Sequence, residues 1–323
     1  MNLSARDQIR IDILAKYTQG NINIKDAVAA FEVKERQFRR IVKRFREEGV
    51  RGILHGNSKR SPVNKLSYAL EKKICDLYRQ KYFDFNINHF CEKLRVEEAL
   101  SFVPSYATIR KVLLDAKLVQ PTQKRTRKAY ARRKRYSKEG LMLQIDGSLH
   151  RWITGHEQFC LTAAIDDATG KIMGAKFTLT ETTFAAMDVV EEIIKEHGLF
   201  QILYSDKAGI YGGGKRVGYT NMDRALTELG ILSIQANTPQ GKGRIERLFN
   251  TLQSRLIAEM RLAGVNSIEK ANIFLQAGFI EKFNKQFAVI PTDQESAFTP
   301  YQGTKDLNEV FTMRENRTVQ NGN

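Results

Sequence analysis

Cysteine is scarce in this 323-residue chain: Cys75, Cys91 and Cys160 are scattered and odd in number. That argues against a disulfide framework, and no close pair offers zinc-type ligand spacing. The three read as small buried thiols in a reducing compartment. Long hydrophobic runs are missing too. No stretch reaches the roughly 18 apolar residues that a membrane-spanning helix needs. Met1 to Tyr17 alternates charge with apolar side chains and has no signal-peptide core, so the expectation is a cytoplasmic protein with no membrane partner. Acidic residues run short in one half only. Residues 1–140 carry 33 lysines and arginines against 15 acidic residues, whereas the remainder carries 19 against 21. All of the net charge of +16 therefore lies in the N-terminal part. Such asymmetry is the footprint of a nucleic-acid-binding half joined to a half with another task.

With 42% hydrophobic and 27% charged residues, the chain has the balance of a globular protein, and its length suits two or three domains. Residues 6–48 predict three short helices. The third carries Phe38, Ile41, Val42 and Phe45 on its apolar face and presents Arg36, Arg39, Arg40, Lys43 and Arg44 around it. A short turn followed by a basic amphipathic helix is the layout of a helix-turn-helix whose second helix enters the major groove. Residues 51–65 read as a basic linker, with Gly52, Gly56, Ser58, Ser61 and Pro62 around Lys59 and Arg60. A second helical unit follows over 66–120. Its last helix, N-capped by Ser105, would turn Tyr106, Arg110 and Lys111 toward DNA. Residues 121–140 form another basic linker: 121–138 hold nine basic residues and no acidic one, Arg125, Arg132 and Arg133 among the phosphate-seeking side chains.

Beyond Gly140 the periodicity changes to strand, strand, strand, helix, strand, helix, strand, helix, which is an α/β layout with a mixed sheet flanked by helices. Three acidic residues stand out. Asp146 ends an apolar strand (Leu141-Met142-Leu143-Gln144-Ile145-Asp146), Asp206 ends another (Ile202-Leu203-Tyr204-Ser205-Asp206), and Glu246 begins a long helix. Strand-end carboxylates point off the sheet edge, where α/β folds place their sites. Three convergent carboxylates without His or Cys favour hard, oxygen-loving Mg²⁺ or Mn²⁺, two ions of which suit in-line displacement at phosphorus. Taken singly, each residue has an ordinary structural explanation; the joint placement points to chemistry.

The order Asp, Asp, Glu on strand, strand and helix resembles the RNase H-like core of DDE transposases and retroviral-type integrases, with 39 residues between Asp206 and Glu246. More closely, Gln144-Ile145-Asp146-Gly147-Ser148-Leu149-His150-Arg151-Trp152, Ile165-Asp166-Asp167-Ala168-Thr169-Gly170, Tyr204-Ser205-Asp206-Lys207 and Pro239-Gln240-Gly241-Lys242-Gly243-Arg244-Ile245-Glu246-Arg247 are similar to motifs of bacterial insertion-sequence transposases of the ISNCY type. The likeness extends to Arg36–Gly56 and to Phe283-Asn284-Lys285-Gln286-Phe287-Ala288-Val289. It implies Asp146, Asp206 and Glu246 as catalytic metal ligands, and Lys242 and Arg244, with Arg247 and Asn250 as weaker contacts, at the scissile-strand phosphates. His150 would position water or substrate or serve structure alone. Asp166 and Asp167 read as turn residues.

The resemblance implies metal-dependent cleavage at transposon ends and strand transfer into target DNA, by a dimer or larger oligomer on double-stranded DNA, nucleoid-associated when bound. A non-catalytic DNA-binding relic or repressor is the alternative. The domains expected are a helix-turn-helix over 1–50, the linker 51–65, a second helix-turn-helix-like unit over 66–120, the linker 121–140, an RNase H-like catalytic core over 141–290, and a tail over 291–323 that is truncated relative to a family ending in a small β-barrel. Ala208-Gly209 stands where many relatives have a His, and Gly212–Gly214 reads as a mobile loop beside the site.

Overall fold

The computed structural model describes residues 5–53, 65–98, 100, 102–121, 133–206, 220–236 and 239–314. Most of both basic linkers, the Gly212–Gly214 loop and the last nine residues lie outside these. The chain divides into two compact units, residues 1–70 and 71–323.

In the first unit, α1 (Ala5–Thr18), α2 (Ile24–Phe31) and α3 (Glu35–Glu48) enclose a small core of Leu14, Ala27, Phe31, Phe38 and Val42. Phe38 organises it, meeting Tyr17 and Phe31 edge-to-face with ring centroids 5.1 and 5.3 Å apart. Asn23 caps α2 by accepting from the Asp26 amide, and Glu32 leaves the helix in the left-handed region. A 3₁₀ turn, Gly49–Ile53, folds back onto α3 so closely that any side chain at Gly52 would strike the Arg44 carbonyl.

The second unit is built on a five-stranded sheet: β1 (Met142–His150), β2 (Phe159–Asp166), β3 (Ile172–Thr178), β4 (Ile202–Ser205) and β5 (Leu232–Gln235), in the order β3-β2-β1-β4-β5. β1–β2 and β2–β3 pair antiparallel, whereas β4 and β5 join in parallel. Helices cover both faces. Leu143 and Ile145 pack under α7 (Thr183–His197), α8 (Asn221–Glu228) and α12 (Leu307–Val310). Leu161, Ala163 and Ile165 pack under α9 (Gly243–Leu262), α10 (Ile268–Phe274) and α11 (Ile280–Phe287). An antiparallel meander extended in parallel by two strands reached through helical crossovers is the RNase H-like arrangement, so the fold class expected from the sequence is the one found. The outer edge of β3 is satisfied by two asparagines: Asn272 and Asn284 each accept from and donate to the backbone of Phe177 and Ile172, at 2.7–3.0 Å. That stops the edge from recruiting another strand.

The helices α4 (Tyr68–Gln80), α5 (Ile87–Val96) and α6 (Tyr106–Asp115) precede the sheet, and α5 with the turn before it meets α9 through polar contacts. Arg255 of α9 forms a two-pronged pair with Glu92 at 2.6 and 2.9 Å, and Arg261 does the same with Asp84 at 2.7 Å. Glu259 receives Lys93 at 2.7 Å and faces His89 Nε2 at 2.8 Å. Burial pushes the Glu259 carboxyl up, but the hydrogen bonds from His89 and Lys93 outweigh it and hold the group below its ordinary value of 4.5. A depressed carboxylate stabilises the fold above its unfolded value and loses that contribution as pH falls through the folded one. Thermal unfolding of Glu259→Gln should therefore lie well below that of the parent near pH 7, with the gap closing below about pH 4; a gap constant across pH would contradict the ion-pair account.

Candidate metal and DNA site

β1 and β4 run in register, Met142 beside Ile202 and Gln144 beside Tyr204. Two residues further on, that register delivers Asp146 and Asp206 side by side. Asp206 follows the end of β4, whereas Asp146, expected at a strand end, lies inside β1, which runs on to His150 paired with β2. Lys242, in the 3₁₀ turn Pro239–Lys242 that enters α9, places Nζ 2.8 Å from Asp146 and 3.3 Å from Asp206. The lysine is only 8% exposed. Burial pushes the Asp146 carboxyl above its ordinary value; Lys242 pulls it back, and the Asp206 charge adds to the rise. Glu246 lies four residues past Lys242 on the exposed side of the first turn of α9. Among the described residues, no three His, Cys, Asp or Glu side chains close into a cluster around a metal position. The structure thus brings two of the three expected carboxylates together and leaves Glu246 one turn away.

A fourth carboxylate, which sequence reasoning missed, stands beside the pair. Glu181, just before the α7 cap Thr182, packs against Gly147, where an added Cβ would meet its Oε1 at 2.6 Å. Burial raises its carboxyl, and Asp146 and Asp206 raise it further. Only its place ahead of a helix N-terminus marks it in the sequence. Gly241 has a plainer constraint, since any β-carbon there would collide with the Tyr204 hydroxyl.

Behind the site lies a buried polar hub. Asp167 is fully buried and accepts from Gln144 at 2.8 Å, Arg244 at 2.9 Å, the Tyr136 amide at 2.9 Å, and Arg133. Arg244 and Arg133, expected on DNA phosphates, both pair with Asp167, because a buried carboxylate needs cationic partners; Arg133 stays exposed and Arg244 is largely covered. Lys242 is likewise inside, on the aspartates. Arg247 stays exposed, its Nε on the Gly243 carbonyl, and Asn250 is exposed too. Asp166 is the turn residue expected, accepting from the Gly140 amide and from the Thr169 amide and hydroxyl. Asp167, read as its companion in the turn, is an anchor. The His150 ring packs edge-to-face on Trp152, 5.5 Å away, which favours the structural role.

On α3, Arg36, Arg39, Arg40, Lys43 and Arg44 are all exposed. Arg39 pairs with Glu35 at 2.7 Å and Lys43 reaches Glu47 at 3.8 Å, whereas Arg36, Arg40 and Arg44 follow one another at four-residue spacing along one stripe. On α6, Ser105 is the N-cap, accepting from the Thr108 amide, and Tyr106 and Lys111 are exposed with Arg110 half-buried. Arg125 and Arg132 lie outside the described residues. The tight approach at Gly241 is testable. Gly241→Ala should cost about 1–3 kcal/mol in thermal unfolding, and adding Tyr204→Phe, which removes the colliding oxygen, should recover most of it; no recovery would mean that the crowding lies elsewhere.

Residues 10–72 match the winged helix-turn helix family. Over 98% of its length the chain is 34% identical to y4bF of Sinorhizobium fredii, a protein named as a transposase, covering 70% of that protein. Over 96% of its length it is 30% identical to the transposase for insertion sequence IS1202 of Streptococcus pneumoniae, covering 74% of it. Among solved structures it is similar to a simian T-cell lymphotropic virus intasome chain (13% identity, TM-score 0.38, 77% of this chain and 80% of that one). It is also similar to the HTLV-2 integrase catalytic core domain solved with magnesium (13%, TM-score 0.35, 44% and 86%). Two transposases aligned across nearly the whole sequence, joined to a helix-turn-helix and an RNase H-like core, settle the kinship: this chain belongs to the insertion-sequence transposase family.

Proposed function

We propose that this transposase is a DDE-type polynucleotidyl transferase that hydrolyses DNA at the element's ends and joins the freed 3′-hydroxyl to target DNA. The observation that carries this is the pair Asp146 and Asp206, set side by side on adjacent parallel strands and bridged by Lys242, one helical turn before Glu246. An oxygen-only donor set fits Mg²⁺ or Mn²⁺, with Asp146, Asp206 and Glu246 as the holding residues. Two such ions, when bound, supply positive charge to the attacking and leaving oxygens at phosphorus. In the first step water attacks the phosphorus and the bond to the 3′-oxygen breaks; in the second that 3′-hydroxyl attacks a target phosphate and displaces the target's own 3′-oxygen. Lys242, which now neutralises the aspartates, is the nearest cation to serve the scissile phosphate once another charge takes its place. Arg36, Arg40 and Arg44 supply the contacts to double-stranded transposon ends, with Tyr106, Arg110 and Lys111 of α6 as a second reading surface. Joining two ends calls for a dimer or more on DNA.

A DNA-binding protein without catalysis is the second reading, favoured by the exposure of Glu246 away from the aspartate pair. End-cleavage and strand-joining assays with Mn²⁺ separate the two. Asp146→Asn, Asp206→Asn and Glu246→Gln should each lower cleavage on the order of a hundredfold or more while end binding persists. Tight binding with no metal-dependent cleavage by the parent chain would support the repressor. For the α3 face, Arg40→Ala should weaken binding across sequences and reduce the salt slope of the binding constant by about one; an unchanged slope would remove Arg40 from the phosphate contacts.

A further inference from the structure

Helix α9 begins without the usual local cap. Its N-cap residue is Lys242, whose ammonium has no acceptor to offer a helix amide and lies against Asp146 and Asp206. The first amides of a helix have no partner within it and need one from elsewhere. For the Ile245 amide that partner is Gln144 of β1, whose Oε1 accepts it at 3.3 Å. Strand alternation puts Gln144 on the same face as Asp146, two residues on, and Ile245 is the immediate neighbour of Glu246. The Gln144 side chain is therefore a direct strut between the strand that carries one carboxylate and the helix that carries another.

The other end of that amide is fixed as well. Gln144 is fully buried, and its Nε2 donates to Asp167 Oδ1 at 2.8 Å. Asp167 also accepts from Arg244, the residue before Ile245, at 2.9 Å. The orientation of the Gln144 amide is dictated chemically: the helix offers it a donor and Asp167 offers it an acceptor, so a flipped amide would lose both bonds. A glutamine in the apolar first half of its strand, with both polar atoms used and both leading to the first turn of one helix, does more than fill a core position.

We propose that Gln144 is a positioning residue that ties the first turn of α9, which carries Glu246, to the strand that carries Asp146, with Asp167 locking Gln144 and the start of α9 in that relation. The proposal rests on the three carboxylates being the metal ligands. Loss of the amide leaves the sheet and the apolar stripe of α9 in place but frees the first turn, so the cost falls on metal binding more than on folding.

The test is Gln144→Met, which keeps the length and removes both hydrogen-bonding atoms. It is compared with the parent, with Asp146→Asn, and with Val190→Ala, a buried substitution on α7 across the sheet. Mn²⁺ affinity is read by calorimetry and water-proton relaxation, alongside thermal unfolding, end-DNA binding and the Mn²⁺ dependence of cleavage. Gln144→Met should need about tenfold or more Mn²⁺ for half-saturation, with end binding retained, while Val190→Ala lowers the melting temperature and leaves the Mn²⁺ midpoint alone. An unchanged midpoint in Gln144→Met, or an equal shift in Val190→Ala, would overturn the proposal. Asp146→Asn separates the two levels: if it binds Mn²⁺ as the parent does, the metal reading itself has failed, whereas if it loses Mn²⁺ and Gln144→Met does not, only the positioning has. Hydrogen exchange on the parent protein needs no variant. The Ile245 amide should be protected like core amides, and exchange at the rate of an uncapped helix end would contradict the strut.

Discussion

Two carboxylates held side by side on neighbouring parallel strands repel each other, and much of the second unit is arranged around that repulsion. The register between β1 and β4 leaves Asp146 and Asp206 no freedom to separate. Lys242 answers with an ammonium shared between them. A donor-only ammonium cannot cap the start of α9, and Gln144, held by Asp167, supplies the acceptor there instead. Asp167 in turn needs Arg244 and Arg133, so the last part of the basic segment is drawn into the same hub. One electrostatic constraint thus reaches from the strand ends to the chain entering the core.

The helices ahead of the sheet extend this logic. The α4–α6 group meets α9 through the pairs of Arg255 and Arg261, nine and fifteen residues past Glu246, roughly 14 and 22 Å along the helix axis. One face of α9 packs its apolar stripe on the sheet, and its outer side receives α5. The surface on α6 that presents Tyr106 and Lys111 is consequently carried by the same body as the carboxylates. No helix among the described residues is long and apolar enough to cross a membrane.

Much of this was legible in the sequence, for identifiable reasons. The strands and α9 follow from periodicity, because a sheet covered on both faces demands apolar runs and a helix lying on it demands a 3.6-residue stripe. Asp146 and Asp206 were visible because a carboxylate closing an apolar run has few structural excuses, although β1 itself continues past Asp146 to His150. The roles of Lys242, Arg244 and Arg133 were not legible: a basic residue in a basic protein looks like a phosphate contact until its buried partner is known, and Asp167 was hidden inside a turn motif. Gln144 gave a signal, a polar residue amid Leu, Met, Leu and Ile, but its partners come from residues 23 and 101 positions away. Glu181 reaches the aspartates only through the packing of the segment before α7 on Gly147, which no spacing encodes.

The most direct test of the account is Mn²⁺ anomalous diffraction from crystals of the whole chain. The account predicts a Mn²⁺ peak on the carboxylate oxygens of Asp146 and Asp206, with the Lys242 ammonium moved off them. Crystals that show no peak there at saturating Mn²⁺, with Lys242 still bridging the two aspartates, would contradict it.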